Sequence, residues 1–353
     1  MNQSNFLGLA LGLVIFSFSI TALLIVPFIN LLYKLKVTRR KQLSNDSKKS
    51  LFDSMHAKKA GTPVGGGILL LLVVTILFAL IFPIARHMGV RINSSYGLSK
   101  ELFVIFFTFI SFGLLGLVDD IVGIFGKGIK GDRPVGLTFG LKRKHKLLIQ
   151  FILGGFIGFY IYRFLGIQIL HIPFFDKVLN LGIGYIPFAA FIIVFFVNAF
   201  NITDGLDGLA SGLLMIYLVA FGVIAGASLD TPISIFIALW LGSVIAFLYF
   251  NVWPARIFMG DAGALAFGGM IGVIGLITGS IAPLFIIGGV FVIEAISSLI
   301  QIVGWKIYKK PLLPIAPLHH TLEAVGWEEQ KIVSRAWLAG IMLAIFGLWL
   351  ATI

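Results

Sequence analysis

Long apolar stretches alternate with short polar connections along almost the whole chain. Ten stretches stand out, at about 6–33, 67–86, 101–118, 147–165, 185–200, 209–228, 232–250, 263–279, 283–306 and 333–352. Most of them approach the roughly 20 residues that an α-helix needs to cross a bilayer. A segment in lipid must satisfy its own backbone hydrogen bonds, so the pattern predicts helices. The alternating ten-residue segments typical of a membrane β-barrel do not occur.

Composition supports this interpretation. The chain is 59% hydrophobic and 12% charged, whereas a soluble domain is about half apolar and about a quarter charged. We therefore predict an all-α polytopic membrane protein, with residues 1–353 forming one integral membrane domain. The first stretch lacks the basic start and small-residue cleavage site of a signal peptide, so it is interpreted as a retained spanning helix. The absence of Cys leaves Asp, Glu, Asn and His as possible metal ligands.

Basic residues predict the orientation. Of the 27 Lys and Arg residues, one side of the predicted bundle holds only Arg86, Arg91, Lys100, Arg163 and Lys177. The other side holds the rest, concentrated between the first and second spans and between the third and fourth. The positive-inside rule places that side in the cytoplasm, and ten spans then place both termini outside it. The net charge of +12 suits both anionic lipid surfaces and anionic substrates, and does not choose between them.

Polar motifs concentrate on the predicted cytoplasmic side. They are HAKKAGTPVGGG (56–67), LGLVDDIVG (115–123), NAFNITDGLDGLA (198–210), FNVWPARIFMGDAGALAFG (250–268) and APLHHTLEAVGW (316–327). The outward connections hold no comparable cluster. A transporter would distribute polar residues through the membrane depth, whereas an enzyme with one water-soluble and one lipid substrate would place them at one face.

Carboxylates dominate these motifs. The five are Asp119, Asp120, Asp204, Asp207 and Asp261. Carboxylates gathered at one membrane surface repel each other unless a cation lies between them, and Mg²⁺ is a hard cation that prefers oxygen ligands. Some of these residues could instead be helix caps, an alternative that is strongest for Asp207. On a helix, residues three apart such as Asp204 and Asp207 would share a face.

Three further features have a functional and a structural interpretation. The glycines at 65–67 precede a predicted helix, where free backbone N–H groups can bind phosphate, and Lys59 lies nearby; Gly-rich turns are also ordinary helix starts. His319 and His320 are possible ligands or phosphate-binding groups, or simply a solvated turn. Glu294 lies inside an apolar stretch, where an acid is either functional or bonded to a neighbouring helix.

The order and wording of the motifs resemble the polyprenyl-phosphate N-acetylhexosamine-1-phosphate transferases. The resemblance runs from about Lys34 to Leu338 and is carried by NAFNITDGLDGLA, FMGDAGALAFGG and PLHHTLE. Within the family, the wording NxTDGLDGLA together with PLHHxxE and a following GW is similar to the members that use a muramoyl substrate. The sequence departs from the family pattern at Val64, Gly65, Ala264 and Thr321.

The resemblance implies a ten-helix bundle, usually a homodimer, in the inner (plasma) membrane of a bacterium. It implies transfer of phospho-MurNAc-pentapeptide from UDP-MurNAc-pentapeptide to undecaprenyl phosphate, which gives lipid I and UMP with Mg²⁺ as cofactor. The partners are then a UDP-sugar, a polyprenyl-phosphate lipid and the membrane, with no nucleic acid. The implied catalytic residues are Asp119, Asp120, Asp261 and His319, with Asp261 the metal ligand. The implied substrate-binding residues are Lys59, Asn198, Asn201, Asp204, Asp207, Asn251 and His320.

Two alternatives remain open at the level of sequence. The first is a related transferase that uses UDP-GlcNAc or another UDP-N-acetylhexosamine. The second, from a different class, is a proton-coupled transporter that uses Glu294 and the Asp pairs. Release of UMP distinguishes both transferases from the transporter, and the choice of nucleotide sugar distinguishes the transferases from each other.

Overall fold

The structure is a computed structural model that describes residues 3–39, 59–87, 90, 92–125, 141–173 and 177–353, with side chains from residue 7 onward. Parts of two basic connections, residues 40–58 and 126–140, and Arg91 lie outside the described residues. The described helices, in chain order, are α1 (Gln3–Lys34), α2 (Gly66–His87), α3 (Leu98–Phe125), α4 (Arg143–Tyr160), α5 (Tyr185–Thr203), α6 (Leu209–Ala227), α7 (Thr231–Asn251), α8 (Asp261–Ile277), α9 (Ile281–Ile287), α10 (Gly289–Val303), α11 (Leu318–Ala324) and α12 (Glu329–Ala351).

Nine helical segments of the described chain are long and apolar enough to cross a membrane, which confirms the predicted all-α membrane fold. The remaining predicted segment is α8, which has 17 residues and is about 26 Å long at 1.5 Å per residue. Every α8 residue from Ala262 to Ile277 is buried. Because α8 meets protein on all sides, it does not need to match the lipid thickness.

The predicted stretch 283–306 differs from the structure, where it is divided at Gly288 into α9 and α10. A short π-helical segment, Gly304–Tyr308, continues α10 past the predicted limit, and another, Ile161–Leu165, completes the predicted stretch 147–165 after α4. Between α4 and α5 lies an antiparallel hairpin of β1 (Ile169–Ile172) and β2 (Lys177–Asn180), in register from Ile169 opposite Asn180. Neither strand, ILHI or KVLN, alternates strictly between apolar and polar residues, so the hydrophobic pattern does not predict the hairpin.

The core surrounds α8, which packs mainly against α3 and α5. Its aromatic centre includes Phe267, whose ring lies 5.1 Å from that of Trp240 and 6.0 Å from that of Phe109, measured between ring centroids. The first turn of α8 also touches α3 at Gly116, where a Cβ atom would lie 2.0 Å from the backbone oxygen of Asp261. Only glycine permits this approach, which brings the start of α8 within one turn of Asp119 and Asp120.

Candidate active site

The predicted motifs meet at one end of the bundle. Residues 61–67 run between the segment after α1 and the segment before α8, where Thr38 pairs with Pro63 and Val64 pairs with Phe258. The amide groups of Gly65 and Gly66 donate to the Phe258 carbonyl oxygen at 3.1 and 2.9 Å, and that of Gly67 donates to the Met259 oxygen at 2.8 Å. These N–H groups are already bonded, so the phosphate-cradle interpretation of the glycines is wrong and the structural one is correct.

At the centre of the site, one ammonium group joins two carboxylates. Lys146 Nζ, at the start of α4, lies 2.6 Å from Asp119 Oδ2 and 2.6 Å from Asp261 Oδ2. Asp119 Oδ1 also accepts from the Leu141 amide at 2.6 Å. Asn201 Nδ2 donates to Asp261 Oδ1 at 2.9 Å. Two of the five carboxylates singled out in the sequence therefore lie together, and the cation between them in this structure is Lys146.

Asp120 points at the N-terminus of α8. Its Oδ1 accepts from the Asp261 amide at 3.0 Å and its Oδ2 accepts from the Ala262 amide at 2.9 Å. A carboxylate there satisfies free N–H groups and interacts favourably with the helix dipole. Asp120 thus caps α8 from another helix and fixes the residue that carries the neighbouring carboxylate.

A second ion cluster surrounds Lys59, which is 8% exposed. Its Nζ lies 2.8 Å from Asp207 Oδ1 and 2.5 Å from Glu329 Oε1. Asp207 Oδ2 accepts from the Ala255 amide at 2.9 Å, and the Asp207 amide donates to Glu329 Oε1 at 2.6 Å. Asp207 therefore binds the loop before α8, and the predicted cap of α6 is wrong, since Gly208 occupies the N-cap without a side-chain bond.

Asp204 and Asp207 lie in the turn between α5 and α6, rather than on one helical face. Burial, together with the negative charge of Asp261, raises the pKa of Asp204 to about 7, against the lowering effects of Arg39 and Lys59. Burial of this carboxyl group beside Asp261 therefore favours its protonated form.

Two predicted substrate-binding amides are bonded within the protein. Asn198 Nδ2 donates to Gln150 Oε1 at 2.7 Å and to the Val194 oxygen at 2.8 Å. Asn251 accepts from Ser211 Oγ at 2.6 Å and donates to the Ile257 oxygen at 2.9 Å. Asn251, on α7, is hydrogen-bonded both to α6 and to the loop that leads to Asp261. Of the three predicted asparagines, Asn201 is the one that contacts a central carboxylate.

The two histidines lie on α11 and are buried rather than solvated. His319 Nδ1 lies 3.0 Å from Glu294 Oε2, and His320 Nδ1 lies 2.6 Å from Glu323 Oε2. The two rings meet edge to face with centroids 4.2 Å apart. Burial lowers the pKa of His320, against the opposing effect of Glu323. The solvated-turn interpretation of this pair is wrong.

The donor set at the centre fits a magnesium ion. Among the residues that the structure describes, no three His, Asp or Glu side chains are grouped as metal ligands. Mg²⁺ does not require such a group, because it commonly takes one or two carboxylates and completes its shell with water and substrate phosphate. The Asp261 side chain is 32% exposed, against 9% for Asp119. Asp261 is therefore the more accessible of the two carboxylates, and a metal ion bound there would compete with the ammonium group of Lys146.

The sequence interpretation missed two participants. The sequence pattern accounts for Lys146 only as one of the basic residues that set the topology, and it gives Glu329 no role. Lys146 is the last member of a basic run and directly precedes an apolar stretch, so its position at a membrane interface was visible in the sequence. Its carboxylate partners were not, since Asp261 lies 115 positions later.

Known proteins resemble this chain over most of its length. The pattern described as glycosyl transferase family 4 matches residues 102–279. The phospho-N-acetylmuramoyl-pentapeptide-transferase of Geobacillus sp. (strain WCH70) is 37% identical over 338 residues, 96% of each chain. Its counterpart in Caldanaerobacter subterraneus subsp. tengcongensis is 38% identical over 291 residues, 82% of this chain and 84% of the relative. That of Bacillus pumilus (strain SAFR-032) is 36% identical over 339 residues, 96% of each chain.

Proposed function

The chain belongs to glycosyl transferase family 4 and, within it, to the phospho-N-acetylmuramoyl-pentapeptide-transferases, and on that premise we propose its reaction. It transfers phospho-MurNAc-pentapeptide from UDP-MurNAc-pentapeptide to undecaprenyl phosphate, giving lipid I and UMP for peptidoglycan synthesis. The observation that carries the proposal is the cluster of Asp119, Lys146, Asp261 and Asn201, which joins four separate helices at one end of an apolar bundle.

The chemistry explains why the site is built from charges. The attacking group is a phosphate monoester with a second pKa of about 6, so it is already ionised at neutral pH. A general base therefore contributes little. The main barrier is the approach of two anions in line, which positioned positive charges reduce. Lys146 is the ammonium closest to the central carboxylates, and Lys59 lies in the adjacent cluster.

We favour direct attack by the lipid phosphate over a covalent phospho-aspartate. A carboxylate oxygen keeps a second lone pair when it accepts one hydrogen bond, but hydrogen bonds and a nearby cation withdraw its charge and make it a weaker nucleophile. Both oxygens of Asp120 accept bonds from backbone amides of α8, and both oxygens of Asp119 are engaged by Lys146 and Leu141. Neither carboxylate is set up as a nucleophile in this arrangement.

We further propose that the reaction depends on Mg²⁺ held by Asp261. A bound magnesium ion would supply neutralisation of the diphosphate charge. The residues of the chain do the rest: Asp120 fixes the start of α8, Asn201 orients the Asp261 carboxylate through Oδ1, and Lys146 neutralises the Asp119–Asp261 pair. Support comes from the oxygen-rich donor set and from the accessibility of Asp261.

The proposed orientation places this end of the bundle in the cytoplasm and both termini outside it. The excess of basic residues on the motif side supports it. We also propose a homodimer, as the family resemblance implies. A reporter fused after Ile353 tests the orientation: an extracytoplasmic signal is expected, and a cytoplasmic signal from a folded fusion contradicts it.

The related use of UDP-GlcNAc is the alternative, and three of the sequence departures give it no support. The Gly65 amide is bonded to the Phe258 oxygen, Ala264 is 1% exposed, and Thr321 Oγ1 donates to the Ile315 oxygen. These residues are hydrogen-bonded or buried within the fold, so they are not available to contact the sugar.

The test is a comparison of nucleotide sugars. Purified protein in undecaprenyl-phosphate vesicles should release UMP from UDP-MurNAc-pentapeptide at least tenfold faster than from UDP-GlcNAc. The Asp261→Asn protein serves as the inactive control. A preference for UDP-GlcNAc would establish the alternative, and solute flux in vesicles without UMP release would instead favour a transporter.

A further inference from the structure

We propose that Glu294, inside the membrane span, is a positioning residue that acts through His319 on the turn carrying Asp204 and Asp207. The proposal rests on the proposed function, because that turn is taken to border the nucleotide sugar. It assigns a role to an intramembrane acid that does not reach the central carboxylate cluster.

Glu294 is bound to one residue by two contacts. The side chain is 4% exposed, and an acid within a span is costly without a partner. Its Oε2 accepts from the His319 amide at 3.3 Å and lies 3.0 Å from His319 Nδ1. One turn further along α10, Ser297 Oγ accepts from the Leu318 amide at 2.9 Å. The first residues of α11 are thus held on α10 at two successive positions.

The bond to Glu294 also selects the protonation of the ring. A carboxylate facing Nδ1 requires the proton on Nδ1, which leaves Nε2 as the unprotonated nitrogen of a neutral ring. Nε2 is buried and has no hydrogen-bond partner among the described residues. Within the part of the chain that the structure describes, Nε2 is without a partner in either tautomer, so the contact that distinguishes the two tautomers is the one between Nδ1 and the Glu294 carboxylate.

The far side of the ring lies against the backbone of the turn. A Cβ atom on Gly205 would lie 2.4 Å from His319 Nε2 and 3.1 Å from its Cε1. The backbone of Gly205 is not in the left-handed region, which only glycine adopts readily. Glycine is therefore needed here for the ring contact and not for its backbone conformation. The His319 ring packs against Gly205, so the position of the ring determines where the turn between Asp204 and Asp207 lies. Glu294 holds the ring in that position.

The inference predicts that two substitutions on opposite sides of His319 have the same effect. Glu294→Gln removes the charge that selects the tautomer, and Gly205→Ala pushes directly against the ring. Each should raise the KM for UDP-MurNAc-pentapeptide about tenfold with a much smaller change in kcat, as expected when substrate positioning rather than chemistry is disturbed. Because both act through one ring, the double variant should resemble the worse single variant.

Gly155→Ala is the matched control, since a Cβ there meets nothing within 4 Å. Effects that multiply to about a hundredfold in the double variant would show independent sites and overturn the proposal. A second measurement needs no substrate: ¹⁵N spectra of the histidine-labelled protein should show His319 with the proton on Nδ1. Its signals should move in Glu294→Gln and Gly205→Ala but not in Gly155→Ala.

The two measurements separate the two hypotheses. If the wild-type protein releases no UMP from UDP-MurNAc-pentapeptide, the proposed function fails, while the ring spectra still test the positioning role. The positioning role is overturned if His319 carries its proton on Nε2 in the wild type, or if its ¹⁵N signals are unchanged by both substitutions. Either result counts regardless of the rate of UMP release. Should Glu294→Gln not fold, Gly205→Ala alone decides the spectroscopic outcome.

Discussion

Replacing Lys146 by Met removes the ammonium group between Asp119 and Asp261 and keeps the length of the side chain. Both N–O distances are 2.6 Å, and the Lys146 side chain is 16% exposed. Removing one partner of a buried ion pair costs about 3–5 kcal/mol. Because the Asp261 side chain is 32% exposed, solvent screens part of the repulsion, and we expect a loss at the lower end, about 3 kcal/mol.

Thermal unfolding of the purified protein in detergent measures this loss. In EDTA, Lys146→Met should melt several degrees below the wild type, since two carboxylates face each other without a counter-charge. Magnesium at about 100 times its Kd should return about 2.7 kcal/mol to a protein whose metal site it fills. At one shared magnesium concentration the rise in Tm should be larger in the variant than in the wild type, because the ion no longer competes with the Lys146 ammonium and its Kd is lower, although turnover is lost.

Lys144→Met is the matched control, because Lys144 is an exposed neighbour on the same helix. It should leave the Tm unchanged both in EDTA and in magnesium. If Lys146→Met melts with the wild type in EDTA and shows the same magnesium response, Lys146 does not neutralise the carboxylate pair. The assignment of this cluster as the metal site would then be wrong.

Three further predictions concern the surrounding residues. Asp261→Asn should reduce UMP release at least about a hundredfold, equivalent to about 2.7 kcal/mol, at normal expression. Asp207→Asn should mainly lower the Tm. If Asp207→Asn instead loses more UMP release than Asp261→Asn, the metal assignment is contradicted. Lys59→Ala leaves the Asp207 and Glu329 carboxylates unpaired, so its Tm should fall while Lys59→Arg retains most of the stability; equal melting of the two variants would show that the pairing is unimportant. The pKa of Asp204 is about 7 in the folded protein, against an ordinary value of 3.8. Between these values the folded state holds a proton that the unfolded state releases. The Asp204 carboxyl group therefore lowers the free energy of unfolding increasingly as pH rises from 4 to 7. Asp204→Asn should therefore gain Tm over the wild type in EDTA between pH 5 and pH 8, and a constant difference would refute the shift.

Hydrophobic patterning predicted most of the fold. The stretch predicted at 67–86 is the helix Gly66–His87, and that at 232–250 is Thr231–Asn251, because lipid requires an uninterrupted apolar helix. The division at Gly288 was not predictable. A Cβ there would lie 3.0 Å from the ring of Phe196 on α5, and that contact exists only after the helices have packed.

The candidate site was predictable in its residue types and not in its pairings. The sequence identified Asp119, Asp120 and Asp261 as a group, since each ends or begins an apolar run on the same side. It did not predict that Asp120 caps α8 from 141 positions away, or that Lys146 joins the other two. Such contacts depend on which helices become neighbours, and local sequence patterns carry no information about that choice.

The central claim is that the sugar phosphate passes directly to a lipid phosphate at the Asp119–Lys146–Asp261 cluster. Single-turnover reaction of UDP-MurNAc-pentapeptide labelled with ³²P in the β-phosphate tests it most directly. With magnesium and undecaprenyl phosphate present, the label should enter the lipid fraction in step with UMP release, and no label should remain on the protein. UMP release without the lipid acceptor, accompanied by label bound to the protein, would contradict the claim.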